Sequence, residues 1–238
     1  MASIIVAPPM PAGQVDQIAW TDAYSKGWIV NKNLPLTVFS FPEKVTLSAP
    51  CDSGTTCTFS RKMVACPLTI NGPAGSAPDG KANWWTSYFS NKVASHGKAA
   101  WVQGHLLNHN IHGPGVSENL VPITYDLNGT MSAWAEEVIK KEILNKGKLL
   151  AYQVTAHWEG GKKVGSDSDW PGNAARHPAA MCAVLDGHKK GECLAPTFLH
   201  WEAWEIAWNG TGWAIGTAVP FRGYGGIENG IFPNSWNS

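Results

Sequence analysis

Gln103-Gly104-His105-Leu106-Leu107-Asn108, followed by Asn119-Leu120-Val121-Pro122, Asn128 and Glu136, is the stretch whose reading decides this chain. Lys98-Ala99-Ala100-Trp101-Val102-Gln103 reads as a strand that delivers Gly104 and His105 to its end. Residues 108–118 are polar and rich in Gly and Pro, the composition of a loop. Asn119 to Pro122 then reads as a turn. Thr130 to Lys146 is the clearest helix: Met131, Ala135, Val138, Ile139, Glu142 and Ile143 recur at helical spacing, with one charged interruption. Glu136 with Lys140, and Glu137 with Lys141, are favourable i,i+4 pairs. Asn128 or Thr130 can cap the start, and Gly147 suits the position just past the end. Leu149 to Trp158 reads as the next strand.

Further out, Leu34 to Phe41 alternates apolar and polar residues as a half-buried strand does. Lys44 to Ser48 and Cys57 to Val64 read as two more strands, and residues 71–80 as a loop. Thr197 to Trp208 is strand-like, Asn209 to Gly212 has turn chemistry, and Trp213 to Gly216 runs back, which makes a hairpin. Residues 160–193 are polar and read as a surface insertion. Residues 1–15 are Pro- and Gly-rich and read as an extended arm ahead of a single domain over 16–238. The class expected is α+β: a largely antiparallel sheet, one principal helix and long loops.

Composition narrows the function classes. Eighteen basic residues balance 18 acidic ones. A zero formal charge argues against binding nucleic acid by bulk electrostatics and leaves room only for a local patch. No run of 18 apolar residues occurs, so no membrane span and no membrane partner is expected. The start lacks a basic segment followed by a long apolar one, so no signal peptide is expected. Cys51 with Cys57, and Cys182 with Cys193, each bracket a short loop and can pair; free thiols and disulfides stay equally open. The five Cys are not spaced as a zinc site. Thirteen Trp, against 5 Tyr and 7 Phe, suit either a β-rich core or a stacking surface, and the weight falls on the core.

The order Gly104-His105, Asn119-Leu120-Val121-Pro122, Asn128, Glu136 resembles the DNA/RNA non-specific endonucleases of the ββα-metal (His-Me finger) superfamily. The likeness covers about residues 101–158, and the motif it implies spans about 98–158. Gly-His-Leu-Leu-Asn followed by Gly113-Pro114-Gly115 resembles a branch found in bacterial toxins and injected effectors. The resemblance implies a ββα-metal finger motif and hydrolysis of phosphodiester bonds in DNA, with RNA left open. It implies His105 as general base, Asn128 as direct ligand of Mg²⁺ (or Mn²⁺), and Glu136 as support for the metal's water shell. Gln103 stands where the family carries a phosphate-holding Arg, and Asn119 and the basic pair Lys162 and Lys163 would meet the substrate. It also implies a toxin or effector role, in the bacterial cytoplasm or delivered into a target cell, with an immunity or delivery partner left open. Two departures weaken the match: Val102-Gln103 replaces Asp-Arg, and Ile123 follows Pro122 where the family has Gln. Arg176 and Arg222 are candidates for the missing cation.

The chemistry suits those residue types. Histidine titrates near neutrality and can take a proton from water. Mg²⁺ prefers oxygen ligands and keeps several waters, so one or two protein oxygens suffice. Each residue alone also has a plainer role: His105 a strand-end histidine, Asn128 a helix cap, Glu136 a solvated partner of Lys140. His105, His109 and His112 together suggest a zinc cluster, which Gly113-Pro114-Gly115 argues against by breaking any common helix. Two rivals come from other classes. One is a Trp-rich carbohydrate- or ligand-binding β protein built around Trp201, Trp204 and Trp208. The other is an inactive nuclease-like scaffold.

Overall fold

The computed structural model describes residues 34–51, 54–79, 82, 84–85, 101–158, 195–196, 198–209, 213–221 and 226–228. The arm at 1–15, residues 98–100, the insertion at 160–193 with Lys162, Lys163 and Arg176, and also Arg222, Cys182 and Cys193 lie outside the described residues. In chain order the strands are β1 (Phe39–Cys51), β2 (Gly54–Leu68), β3 (Trp101–His105), β4 (Leu120–Thr124), β5 (Leu150–His157), β6 (Phe198–Trp208), β7 (Trp213–Ala218) and β8 (Gly226–Glu228). One sheet runs β1-β2-β5-β6-β7, with β8 also pairing on β6. Its pairings are all antiparallel. β3 and β4 make a separate antiparallel pair. With the helical run described below, the class is α+β.

The strand readings need two corrections. Leu34 to Phe41 and Lys44 to Ser48 do not give two strands but one, β1, whose register against β2 shifts between Ser40 and Lys44, around Pro42. Proline has no N–H for a ladder, and the edge position of β1 tolerates it. Asn119 to Pro122 is not simply a turn. Leu120 opens β4, and Pro122 lies opposite Gln103 of β3. A two-stranded pair leaves each strand an open edge, which is where a strand proline can sit.

The helical run α1 spans residues 125–145. It alternates α turns (Tyr125–Met131, Glu137–Lys140) with π turns (Ser132–Glu136, Lys141–Asn145). Its cap is Thr124, whose Oγ1 accepts the Leu127 N–H at 3.2 Å. The helix therefore starts ahead of Thr130, and Asn128 lies within it rather than capping it. Gly147 just beyond the end has φ 64°, the left-handed conformation glycine adopts without penalty.

The π turns have a cause in the sequence. Leu127, Met131, Ala135, Ile139 and Ile143 are all buried, at strict intervals of four. A regular α-helix turns every 3.6 residues, so a spacing of four drifts by about 40° each step. Turns closed by i→i+5 bonds are wider and counter that drift. The apolar stripe thus stays on one side and packs on the sheet residues Met63, Ala65, Tyr152, Val154, Leu199 and Trp201. Leu106, Leu107, Val121 and Ile123 of the β3–β4 region join the same core.

The tryptophans divide as rings in a β-rich core do. Trp84 and Trp201 are fully buried, and Trp101 nearly so. Trp204 packs in a small cluster with Cys66 and Ile206. Trp208 is exposed and meets Trp213 edge to face at 5.4 Å. Trp201, Trp204 and Trp208 therefore form no common stacking platform. Cys57 is disulfide-bonded, whereas Cys66 is a buried free thiol that burial pushes up to about 11.

Candidate functional site

Two loops build the site. The segment 69–79 lies along 107–115, joined by Ser76 N–H to the Gly113 carbonyl (3.1 Å), Asp79 N–H to the Gly115 carbonyl (3.2 Å) and Gly115 N–H to Ser76 Oγ (2.7 Å). The backbones approach so closely that a Cβ on Gly113 would fall 1.6 Å from the Leu107 oxygen, and one on Gly115 would fall 1.8 Å from the Ala77 oxygen. His112 pins the same junction: Nδ1 meets the Pro73 carbonyl at 2.8 Å and Nε2 the Thr69 carbonyl at 3.0 Å. Both of its ring nitrogens are thus occupied by carbonyls, and His112 cannot join a zinc cluster with His105.

His105 ends β3 and is buried, 8% exposed. Its Nε2 faces the Ser76 carbonyl at 3.0 Å. A carbonyl only accepts, so Nε2 carries the hydrogen and Nδ1 is left as the basic nitrogen. Burial holds the ring below the ordinary histidine value; the Ser76 carbonyl works the other way and nearby His109 lowers it further. The direction favours the neutral ring, the form that can accept a proton.

Glu136 is buried on α1, 7% exposed. Asn108 donates Nδ2–H to its Oε2 at 2.6 Å and accepts the Asn110 N–H on Oδ1 at 2.8 Å. Both ends of the Asn108 amide are used, so it fixes the carboxylate relative to the His105 loop. Burial pushes the Glu136 carboxyl above the usual range, and Asn108, Lys140 and Ser132 pull it back. Lys140 is itself paired with Glu137 at 2.9 Å, so the expected Glu136–Lys140 surface pair gives way to a buried carboxylate held by an amide.

Asn119 serves the backbone of the loop. It is fully buried, and its amide is spent on backbone: Oδ1 accepts Leu107 N–H at 2.8 Å, and Nδ2 donates to the Leu107 and Pro114 carbonyls at 2.8 and 2.9 Å. It shapes the loop that presents His105 and Asn108. Asn128 is exposed in the first α turn of α1, the segment that packs against β3 and β4. Over eight residues a regular α-helix would leave Asn128 and Glu136 about 80° apart. The π turn Ser132–Glu136 between them reduces that offset. Gln103 lies two residues before His105, hence on the same strand face. Its Oε1 is buried and meets no donor among the described residues.

Asn108 and Ser76 are the neighbours that sequence reasoning left without a role, and His109 entered it only as a member of a zinc cluster. Asn108 stands inside the quoted stretch, but a polar loop residue gives no sign of which carboxylate it will reach. Ser76 contributes its carbonyl, and a backbone atom leaves no mark in the side-chain pattern.

No three His, Cys, Asp or Glu side chains converge as a metal cluster among the described residues. The oxygen donors are of another kind: the Asn128 amide, the buried Glu136 carboxylate and the orphaned Gln103 Oε1. By their chemistry alone, carboxylate and amide oxygens suit Mg²⁺ or Mn²⁺ better than zinc.

No protein-family model, curated protein or solved structure matches this chain.

Proposed function

We propose that the chain is a metal-dependent endonuclease that hydrolyses phosphodiester bonds without strong sequence preference, with a ββα-metal motif formed by β3, β4 and α1. The observation that carries the reading is His105, buried at the end of β3 with one ring nitrogen fixed on Ser76 and the other left as a base, beside a carboxylate fixed by Asn108. What supports the reading beside it is the chain order of strand, strand and helix, with His105 on the first and Asn128 and Glu136 on the last.

In this mechanism His105 Nδ1 takes a proton from the attacking water, and the Ser76 carbonyl stabilises the imidazolium that results. Asn128 would hold Mg²⁺ or Mn²⁺ through its amide oxygen, and Glu136 would hold that ion's waters. The ion would supply positive charge for the phosphate oxygens as negative charge builds on them. Gln103 can bond to a phosphate but brings no charge. Nucleic acid is the partner this chemistry requires; a toxin or effector role rests on the resemblance alone.

The test is degradation of plasmid DNA and total RNA, with Mg²⁺, with Mn²⁺ and with chelator, by the wild-type chain and His105→Ala. Cleavage that needs the ion and is lost in the variant is the expected result. Cleavage unchanged by the variant would place the activity elsewhere, and no cleavage under any condition would leave an inactive scaffold.

A further inference from the structure

A phosphodiester bond breaks only if the departing oxygen is also dealt with, and one base does half of that work. Beside His105 stands a second imidazole. His109 opens the short 3₁₀ turn His109–Ile111, and its ring centroid lies 5.6 Å from that of His105. The two rings live in opposite surroundings: His105 is buried at the strand end, whereas His109 is exposed at the rim. The loop holds them in place, since Asn108 caps the turn and a Cβ on Gly75 would meet the His109 carbonyl oxygen at 1.9 Å. Two titratable groups side by side in contrasting environments are the arrangement from which acid and base roles can be assigned.

We propose that His109 is the general acid of the hydrolysis, an assignment that rests on the endonuclease reading above. The buried ring takes the proton of water as its oxygen bonds to phosphorus. The exposed ring, protonated, gives its proton to the oxygen whose bond to phosphorus breaks. One proton is taken up and one released, and the enzyme returns to its starting state when the two histidines exchange protons with solvent. Burial lowers the His105 pKa, the Ser76 carbonyl opposes that, and the neighbouring His109 lowers it further. Among the described residues, the groups facing the pair include the Ser76 carbonyl on His105 and, through Asn108, the carboxylate of Glu136 on α1. Asp79, the acid of the facing segment, is tied through its backbone to Gly115.

The experiment compares wild type, His105→Ala, His109→Ala and His109→Gln on two substrates with Mg²⁺: duplex DNA, whose leaving alkoxide needs a proton, and bis-nitrophenyl phosphate, whose leaving phenolate does not. His109→Ala is expected to lose about 10²–10³-fold in kcat on DNA, the usual worth of a positioned acid, and roughly tenfold or less on the aryl ester. Equal losses on both substrates, or no loss on DNA, would overturn the assignment while His105→Ala still upheld the nuclease reading. A second readout needs no turnover. The NMR titration of the His105 ring should move to higher pH in His109→Gln, and an unchanged titration would also overturn the proposal. Should wild type cleave neither substrate with Mg²⁺ or Mn²⁺, the endonuclease reading and this assignment fall together.

Discussion

The buried carboxylate of Glu136 is where chemistry and stability pull against each other. Its folded value lies above the ordinary one because burial outweighs the Asn108 hydrogen bond. Between those two values the unfolded chain holds fewer protons than the folded one, so stability falls as pH rises through the window and stays lower above it. Glu136→Gln keeps an oxygen for Asn108 and removes the charge. It is therefore expected to raise the urea midpoint at neutral pH, with the gain shrinking as acid protonates the wild-type carboxyl. Activity should move the opposite way and drop by at least about tenfold, as when an outer-shell partner of a metal is lost. A variant that is neither more stable at neutral pH nor less active would mean the carboxylate is ordinary. Asn119 gives the contrasting case. Asn119→Ala would leave the Leu107 N–H and the Leu107 and Pro114 carbonyls unpaired in a buried loop, at about 1–3 kcal/mol for each group left unsatisfied. We expect a loss of about 3 kcal/mol in urea unfolding; a change within about 0.5 kcal/mol, ordinary for a surface site, would return Asn119 to the substrate. His105, Asn128 and Glu136 could be chosen from the sequence because their spacing is a linear property. That Asn119 serves the backbone and Asn108 serves Glu136 could not, since both depend on where the loop folds back.

Strands and helix were legible to different degrees for the same physical reason. β5 and β6 carry strong local signals and agree with their expected bounds to within a residue or two. β4 does not, because a proline in a five-residue strand reads as a turn until its partner β3 is known. The helix α1 begins ahead of the expected Thr130, because the Thr124 cap and the stripe from Leu127 to Ile143 carry it through Asn128 and Gly129. The stripe's four-residue interval also held the sign of the π turns. This permits a test of what the π turn does. Deleting exposed Ala133 from Ser132–Glu136 is expected to restore a narrower turn and rotate Glu136 relative to Leu127 and Asn128. The Glu136–Asn108 hydrogen bond should then break, with activity reduced about 10²-fold, as for other small misplacements of catalytic groups. Far-ultraviolet circular dichroism would check that the helix persists. A deletion that keeps full activity would mean that the helix repacks and the π turn sets no geometry at the site.

At the scale of the whole molecule, charge sets how the chain can meet its substrate. Duplex DNA carries a dense line of phosphates, and a protein that neutralises several of them loses affinity steeply as salt rises, with a slope of about −0.9 for each phosphate contacted. This chain has 18 basic and 18 acidic residues, and several of the described lysines are already paired: Lys140 with Glu137, and Lys146 and Lys148 with Glu142. Such a surface cannot offer a broad cationic groove without leaving other regions strongly acidic. On the endonuclease reading proposed above, the site would instead read backbone through a few groups, His105, His109, Gln103 and a cation held by α1. We therefore expect a shallow dependence, with log kcat/KM on duplex DNA falling against log salt at a slope of about −2 to −3 between roughly 50 and 200 mM. The Lys162→Ala, Lys163→Ala double variant divides the remaining possibilities. If this pair touches phosphates, the slope should flatten by about 1 for one contact and about 2 for both, while kcat at saturation stays within about twofold of wild type. An unchanged slope would confine substrate contact to the loops at 69–79 and 105–115 and to α1. A wild-type slope of about −6 or steeper would overturn the narrow-site picture, since six or more phosphates would then be engaged by a chain whose formal charge is zero.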